Sequence, residues 1–337
     1  MTSISVTAPT RIADLGGWTD TWFAGYGAVC HLAVWPGVNV RIGPYDGPVG
    51  VEIRLRNFDR EWHWSPGTPP QVCPDPLIGA CLDEAEVPAG AWLLDVGSDV
   101  PPGASMGTSA SVCVAVLAAL DRLRGAELDP ATLATRAHLV ETRRLGQESG
   151  IQDQWAAAAG GAALVEMDVY PDARRTPLAL SPETAAALDA QLIVVLLAQG
   201  HDSSAMHRQV VEALRESGSG DARLEALRAC AHGGAVALRS GDLTGYGGVL
   251  TRNTEQQKRL HTALVSEAAE VVIDVVRGAD ALGWKVNGAG GAGGSLTVLA
   301  SSAPARRRLA DAIQAALPWA RLLDVRLATT GVVQLES

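Results

Sequence analysis

The sequence predicts an α+β protein of two similar-sized halves, joined near residues 170–190. Two observations carry this expectation. At 337 residues the chain is long for a single core, and roughly 150 residues per domain divides it in two. Strand-like and helix-like stretches alternate along it, but without the regular spacing of a doubly wound sheet. The expected halves are residues 1–180 and 181–337.

The elements follow in order. Residues 3–8 and 28–42 read as strands, and "GVEIRLRNF" at 50–58 alternates apolar and polar positions as a half-buried strand does. Pro66, Pro69, Pro70, Pro74 and Pro76 mark 65–76 as loop. "AWLLDVGSDVPPG" is a further strand that runs into a glycine loop. The helix after it, Ser109 to Arg124, is apolar nearly all round, as a buried helix should be. Asp129 caps the next helix, with Pro130 at its first position. After a break at 146–150 come the short helix "IQDQWAAAA" and the strand "GGAALVEMDV". The second half opens on the strand "AQLIVVLLAQ" and the loop "GHDSSAMH", then runs helical to about 280, with a helix ending near Gly283. The strand "SLTVLA", the helix "APARRRLADAIQAAL" and closing strands complete the chain.

Composition narrows the function. Hydrophobic residues at 47% and charged residues at 19% supply a sizeable core and argue against disorder. A net charge of −10 argues against a nucleic-acid binder, while leaving room for an anionic substrate in a local basic pocket. The five cysteines are scattered and form no C-x-x-C, so neither a disulfide framework nor a zinc site fits, and a reducing cytosol is expected. No basic n-region with an apolar h-region opens the chain. The longest apolar run, "SVCVAVLAALDRL", is too short for a bilayer and is broken by Asp121 and Arg122. A soluble, cytoplasmic protein without a membrane partner is the expectation.

"PPGASMGTSA" (101–110) places bare backbone directly before a helix start. Small residues let main-chain N–H groups close on an anion, and the helix N-terminus adds partial positive charge. An ordinary tight turn would read the same way. The loop is no P-loop, because Lys is absent after Gly107, and the dinucleotide fingerprint also fails. A second cluster, "VNGAGGAGGS" (286–295), reads as a hairpin or bulge, or as backbone closely approaching a ligand or another loop.

Glu141 and Asp153 lie twelve residues apart across the "GQESG" break, where a bent helix–loop–helix can aim both at one pocket with Ser109. Magnesium commonly takes one carboxylate, one hydroxyl and phosphate oxygens, and phosphoryl transfer wants a carboxylate beside the acceptor hydroxyl. Singly, each acid also fits a solvated surface charge. Near the N-terminus, "APTRIADLGGWTDTWFAGYGAV" gathers Arg11, Asp14, Trp18, Asp20 and Trp22 around Gly16 and Gly17. Carboxylates that accept from hydroxyls and an indole face for the C–H side of a ring are what sugar sites use. A turn capped by Asp20 is the structural alternative.

Three of these segments, "APTRIADLGGWTD", "PPGASMGTSAS" and "NGAGGAGG", resemble in order and spacing the motifs of the galactokinase–homoserine kinase–mevalonate kinase–phosphomevalonate kinase (GHMP) superfamily. A fourth, "ETRRLGQESGIQDQW", resembles the stretch carrying the metal-binding Glu and catalytic Asp of galactokinase-like members. "GGWTDT" followed by "GYGAV" is most similar to the sugar 1-kinases, the heptose-7-phosphate 1-kinases and the fucokinase domain.

The resemblance implies a ribosomal-protein-S5-like N-terminal half, a ferredoxin-like C-terminal half and an active-site cleft between them. It implies ATP and Mg2+ as cofactors and transfer to a sugar or sugar phosphate at the anomeric hydroxyl. Pro102, Gly103, Ala104, Ser105, Met106, Gly107, Thr108 and Ser109 would cradle the ATP phosphates, with Gly288, Gly290 and Gly291 packed against them. Ser109 and Glu141 would hold magnesium. Asp153 would take or orient the acceptor hydroxyl proton, and Arg11 would stabilise charge near the transferring group. Asp20, Trp18, Gly17, Trp22 and His201 would contact the sugar, while Trp62 and Trp64 lie where the family often builds its adenine pocket. The sequence departs from the pattern at Ala13, Asp14 and Asn287, and Ser105-Met106-Gly107-Thr108-Ser109 stands in place of Gly-Leu-Gly-Ser-Ser. A galactokinase-like or other small-alcohol kinase, and a non-catalytic sensor on the same fold, remain alternatives. Homodimerisation stays open.

Overall fold

The long second strand is the spine of the first half. In chain order this half contains β1 (Ile4–Leu15), β2 (Gly27–Pro44), β3 (Gly50–Leu55), β4 (Arg60–Trp64), α1 (Pro76–Glu84), β5 (Ala91–Ser98), α2 (Thr108–Leu123), α3 (Pro130–Leu139), α4 (Gln152–Ala159), β6 (Ala162–Val169) and β7 (Asp172–Leu178). There follow α5 (Pro182–Gln191), β8 (Leu192–Ala198), α6 (Ser203–Leu214), α7 (Ala222–Ser240), α8 (Leu243–Leu260) and α9 (Glu267–Val276). The chain ends with β9 (Ala281–Val286), β10 (Gly294–Ala300), α10 (Ala303–Ala316), β11 (Arg321–Leu323), β12 (Arg326–Leu327) and β13 (Val333–Gln334). The structure, a computed structural model, describes residues 3–198, 203–214 and 217–335.

Among the described residues there are two sheets. One has nine strands with the path β13-β1-β2-β5-β3-β4, to which β2 adds β6 and β12, and β6 adds β7. The other has four, ordered β11-β8-β10-β9. All pairings are antiparallel except β3 with β5. The last strands cross back, β12 onto β2 and β13 onto β1, so the chain's end closes on the first sheet.

Three apolar layers follow from side-chain alternation. Val38, Val40 and Ile42 of β2 pack under the helices α1–α4 with Val114, Leu117 and Leu133. Leu192, Val194 and Leu196 of β8 face the first half, where they meet Ile12, Leu15, Leu32 and Val34. The intervening Ile193, Val195 and Leu197 face α9 and α10. The seam between the halves is therefore a continuous core. Gly16 lies in it at φ 80°, where a Cβ would sit 2.1 Å from the Ala28 carbonyl oxygen and 2.8 Å from the Ala231 Cβ. Only glycine fits there.

Several elements differ from expectation. β1 does not stop at residue 8 but continues to Leu15, so Arg11 and Asp14 lie on a strand. The strand from residue 50 ends at Leu55, and 56–58 turns as a short 3-10 segment. The proline loop contains the start of α1 at Pro76, with Asp75 as its cap. The helix from Pro130 passes at Val140 into one π-helical turn, Val140–Arg144. Residues 281–286 are strand β9, not the end of a helix. β9 pairs with β10, and the second glycine cluster is the hairpin connection between them. Helical periodicity and a short, mostly buried strand look alike over six residues, which hides β9 in the sequence.

Candidate active site

The glycine loop is pinned from below and open above. Gly103, Ser105 and Gly107 all have left-handed backbones, with φ of 78°, 56° and 72°. Alternation of this kind turns successive N–H groups toward one concave side. Met106 drives its side chain into the seam core, fully buried, and its carbonyl accepts the Arg11 N–H at 2.9 Å. The Ala104 carbonyl accepts the Ser295 hydroxyl at 2.7 Å. α2 begins immediately afterwards, and its N-cap Gly107 offers no side chain to the first-turn amides. Those amides and the positive end of the helix are thus presented to an anion. The buried Thr108 Oγ1 beside them has no hydrogen-bond partner.

Two cavities meet at this loop. A polar one of about 400 Å³ is lined by Arg11, Asp14, Gly17, Trp18, Asp20, residues 103–109, Ser149, Gln152, Asp153 and Gly288. A second, of about 380 Å³, has mainly apolar walls that include Leu55, Phe58, Leu77, Ile78, Val96, Pro102 and Val112. Gly103, Thr108 and Ser109 line both.

Arg11 lies across the polar cavity from β1. Its Nε donates to Asp153 Oδ1 at 2.7 Å and its Nη2 to Oδ2 at 3.0 Å, while Nη1 donates to the Ser105 carbonyl at 2.5 Å. Burial works against the guanidinium charge, but Asp153 and then Asp14 outweigh it and hold its pKa above the usual range. Asp153 opens the first turn of α4, and its carboxylate lies close under Gly107, where a Cβ would come within 3.0 Å of Oδ2.

Glu141, on the π-helical turn, sits behind the cavity wall and is 3% exposed. Ser109 Oγ donates to its Oε1 at 3.0 Å, Ser149 Oγ to Oε2 at 3.4 Å, and Gln154 Nε2 also donates to Oε2. These donors are neutral. Burial therefore prevails, and the carboxyl is pushed up to about 7. Asp20 is buried too, and its Oδ2 accepts the Gln152 N–H at 3.1 Å, capping the start of α4 from another part of the chain. Burial, with Asp153 adding to it, raises its pKa to about 6.

The structure brings Arg11, Gly17, Trp18, Asp20, Asp153, Gly288 and residues 103–109 to one cavity. Trp18 holds a left-handed backbone, φ 81°, which is strained for a bulky residue. Trp22 does not join them. It is half-exposed, edge-on to Phe23, because the turn after Thr21 carries it away from Trp18. Gly290 and Gly291 do not line the cavity either, since they pack on the turn at Leu264. A Cβ on Gly290 would meet the Leu264 carbonyl oxygen at 2.1 Å, and Gly291 N–H donates to that oxygen at 3.1 Å. Trp64 is buried in the first core with Trp62 packed against it, so neither forms a wall of the apolar cavity, which Phe58 and Leu77 build instead. Pro102 lines that apolar cavity rather than the polar one. His201 lies outside the described residues.

Sequence reasoning passed over Ser149, Gln154, Lys285 and Gln257. Ser149 and Gln154 stand within the quoted "ETRRLGQESGIQDQW" stretch, and their neutral side chains carry no signal of their own. Lys285 is a single cation in an apolar strand.

The sequence model of the GHMP kinases N terminal domain matches residues 77–161, the span holding α2, Glu141 and Asp153. Residues 77–161 thus match a GHMP kinase N-terminal domain. It is 28% identical over 265 residues to the galactokinase of Mycobacterium bovis (strain BCG / Pasteur 1173P2), covering 68% of this chain and 69% of that one. It is 40% identical over 84 residues to the mevalonate kinase of Thermococcus sibiricus, a match that spans only 25% of either chain. The crystal structure of a D-glycero-D-manno-heptose 1-phosphate kinase from Bacteriodes thetaiotaomicron superposes with a TM-score of 0.76 at 19% identity, covering 99% of both chains. The two-sheet architecture is the GHMP kinase fold. Among the described residues, no helix is long and apolar enough to cross a membrane.

Proposed function

We propose that the protein transfers the γ-phosphoryl group of ATP to an alcohol of a sugar or sugar phosphate, with the anomeric hydroxyl as acceptor. One observation carries this reading: the Arg11–Asp153 ion pair stands in the polar cavity, at the loop where that cavity meets the apolar one. The apolar cavity suits a base, the loop amides and α2 N-terminus suit phosphates, and the polar cavity suits a polyhydroxylated acceptor.

Asp153 accepts or orients the proton of the attacking hydroxyl, and Arg11 balances charge on the transferring group while holding Asp153 in place. Asp20, with one oxygen on the Gln152 amide, offers the other to acceptor hydroxyls, and Trp18 supplies a ring face. The donor set fits magnesium. Glu141 and Ser109 provide a hard carboxylate–hydroxyl pair, and the raised pKa of Glu141 marks a buried anion whose neutral neighbours undercompensate it. A magnesium ion held there would supply positive charge against the phosphates. Glu141 and Ser109 would hold it.

Single-turnover transfer from labelled ATP to a panel of free sugars and heptose phosphates tests the proposal. Label appearing on a carbohydrate at an anomeric oxygen is expected. Transfer to no carbohydrate, with turnover of an amino acid or a cyclitol, rejects the sugar assignment.

A further inference from the structure

The departures from the superfamily pattern at residues 13–14 and at 287 meet in space. Ala13 N–H donates to Asn287 Oδ1 at 3.0 Å, and Gly288 N–H donates to both Asp14 oxygens at 3.0 Å. Each of two adjacent residues on β1 is thus tied to one of two adjacent residues on the β9–β10 hairpin, with side chain and main chain exchanging roles. Ala13 takes a left-handed backbone, φ 54°, next to the irregularity that interrupts β1–β2 pairing after Ile12.

Both side chains are fixed from behind. Asn287 Oδ1 also accepts the Thr297 hydroxyl at 3.0 Å, and its Nδ2 donates to Ser295 Oγ at 2.9 Å, the hydroxyl that binds the Ala104 carbonyl of the glycine loop. Asp14 lies 3.6 Å from Lys285 Nζ and 3.8 Å from Arg11 Nη1. Lys285 Nζ donates to Gln257 Oε1 at 3.0 Å, and Gln257 Nε2 donates to the Gly288 carbonyl at 3.0 Å. Asp14, Gly288, Gln257 and Lys285 thereby close a ring at the floor of the polar cavity. Gly288 in turn presses on the glycine loop, where a Cβ would come 3.0 Å from the Ser105 carbonyl oxygen that Arg11 also binds.

We propose that Asp14 and Asn287 are positioning residues, a reciprocal clamp that locks the hairpin of the second half against β1 and so sets Arg11 and the glycine loop in register for phosphoryl transfer. The inference rests on the kinase reading above. An ionic ring of this kind contributes little net stability compared with apolar packing, but its geometry is exacting, and geometry is what an in-line transfer needs. Lys285 balances the Asp14 charge, leaving the Arg11 fork committed to Asp153.

The test compares N287A, D14A and the double variant D14N/K285Q, which keeps an acceptor oxygen for Gly288 while removing both charges. Three quantities are read: kcat for ADP formation from MgATP with the best sugar of the panel, the Kd of MgATP, and amide hydrogen exchange at Ala13 and Gly288. N287A and D14A are expected to lower kcat by about tenfold to a hundredfold. Their MgATP Kd should stay within about threefold of the wild type, a split that a general loss of structure does not produce. Exchange should accelerate at Ala13 in N287A and at Gly288 in D14A, and D14N/K285Q should recover both kcat and Gly288 protection. The clamp has no positioning role if kcat holds while exchange accelerates, or if kcat falls only in step with nucleotide binding. The double variant remaining as slow as D14A overturns it equally. Should N287A fail to fold, the two Asp14 variants decide by the same comparison. A wild-type protein that transfers phosphate to no alcohol acceptor defeats the kinase reading and the positioning role with it, whereas exchange at Ala13 and Gly288 still decides whether the clamp exists.

Discussion

Arg11 grips Asp153 at two points, Nε to Oδ1 at 2.7 Å and Nη2 to Oδ2 at 3.0 Å, across 142 residues of sequence. A planar guanidinium makes this fork, and an ammonium cannot. Asp153→Asn is therefore expected to cut turnover by about 10²–10⁴-fold while nucleotide binding is retained. Arg11→Lys keeps the charge and loses the fork, so its turnover should also fall, by about tenfold or more. Rapid-quench turnover and equilibrium ATP binding on the same preparations check both. Near-normal turnover in Asp153→Asn removes that residue from the base role.

Glu141 and Ser109 predict a metal phenotype. Glu141→Gln keeps the shape and the Ser109 contact but discards the charge, so half-maximal activity should need about tenfold to a hundredfold more magnesium. Titrating magnesium at saturating ATP measures this. An unchanged magnesium requirement would take Glu141 out of the metal site.

Asp20 predicts a pH dependence of stability. Its folded pKa of about 6 lies above the ordinary 3.8, so the folded state binds more protons than the unfolded state between those values. Its contribution is greatest below about pH 4 and is lost as pH rises through about 6, a cost of about 3 kcal/mol. Denaturant unfolding of the ligand-free protein and of Asp20→Asn should give curves that separate over this window, the variant gaining on the wild type as pH rises. Parallel curves from pH 4 to 7 would contradict the burial argument.

Gly107 predicts a coupled loss of stability and activity. Its φ of 72° is strained for any side chain, and a Cβ would stand 3.0 Å from Asp153 Oδ2 and 3.1 Å from its Cγ. Gly107→Ala should cost about 1–2 kcal/mol of stability. Turnover should fall further than that loss explains, because Asp153 must move. Thermal unfolding and kcat together check this, and a variant that loses stability but keeps kcat would show that Asp153 tolerates displacement.

Much of the site was legible because its chemistry is local. The bare backbone before α2, the Asp129–Pro130 helix start and the spacing of Glu141 and Asp153 each reflect a rule acting over a few residues. The β9–β10 hairpin was harder. "ALGWKV" is short and buried, so its pairing with β10 rather than its own pattern makes it a strand, and Gly290 and Gly291 serve the Leu264 turn that lies beside it only in space. Trp22 is half-exposed and Trp64 is buried in the first core, because a place along the chain does not say which way an indole points.

The chain's own order of residues determined the α+β class and marked the bare-backbone loop at 103–109 and Arg11, Ser109, Glu141 and Asp153 as candidates, since all of these depend on side-chain type and short-range backbone geometry. Only the tertiary structure decided that Asp14 meets Gly288, that Asn287 meets Ala13, and that Lys285 neutralises the first of these contacts. These contacts join residues more than 270 positions apart. They arise from packing two sheets across a common core, which no local pattern encodes.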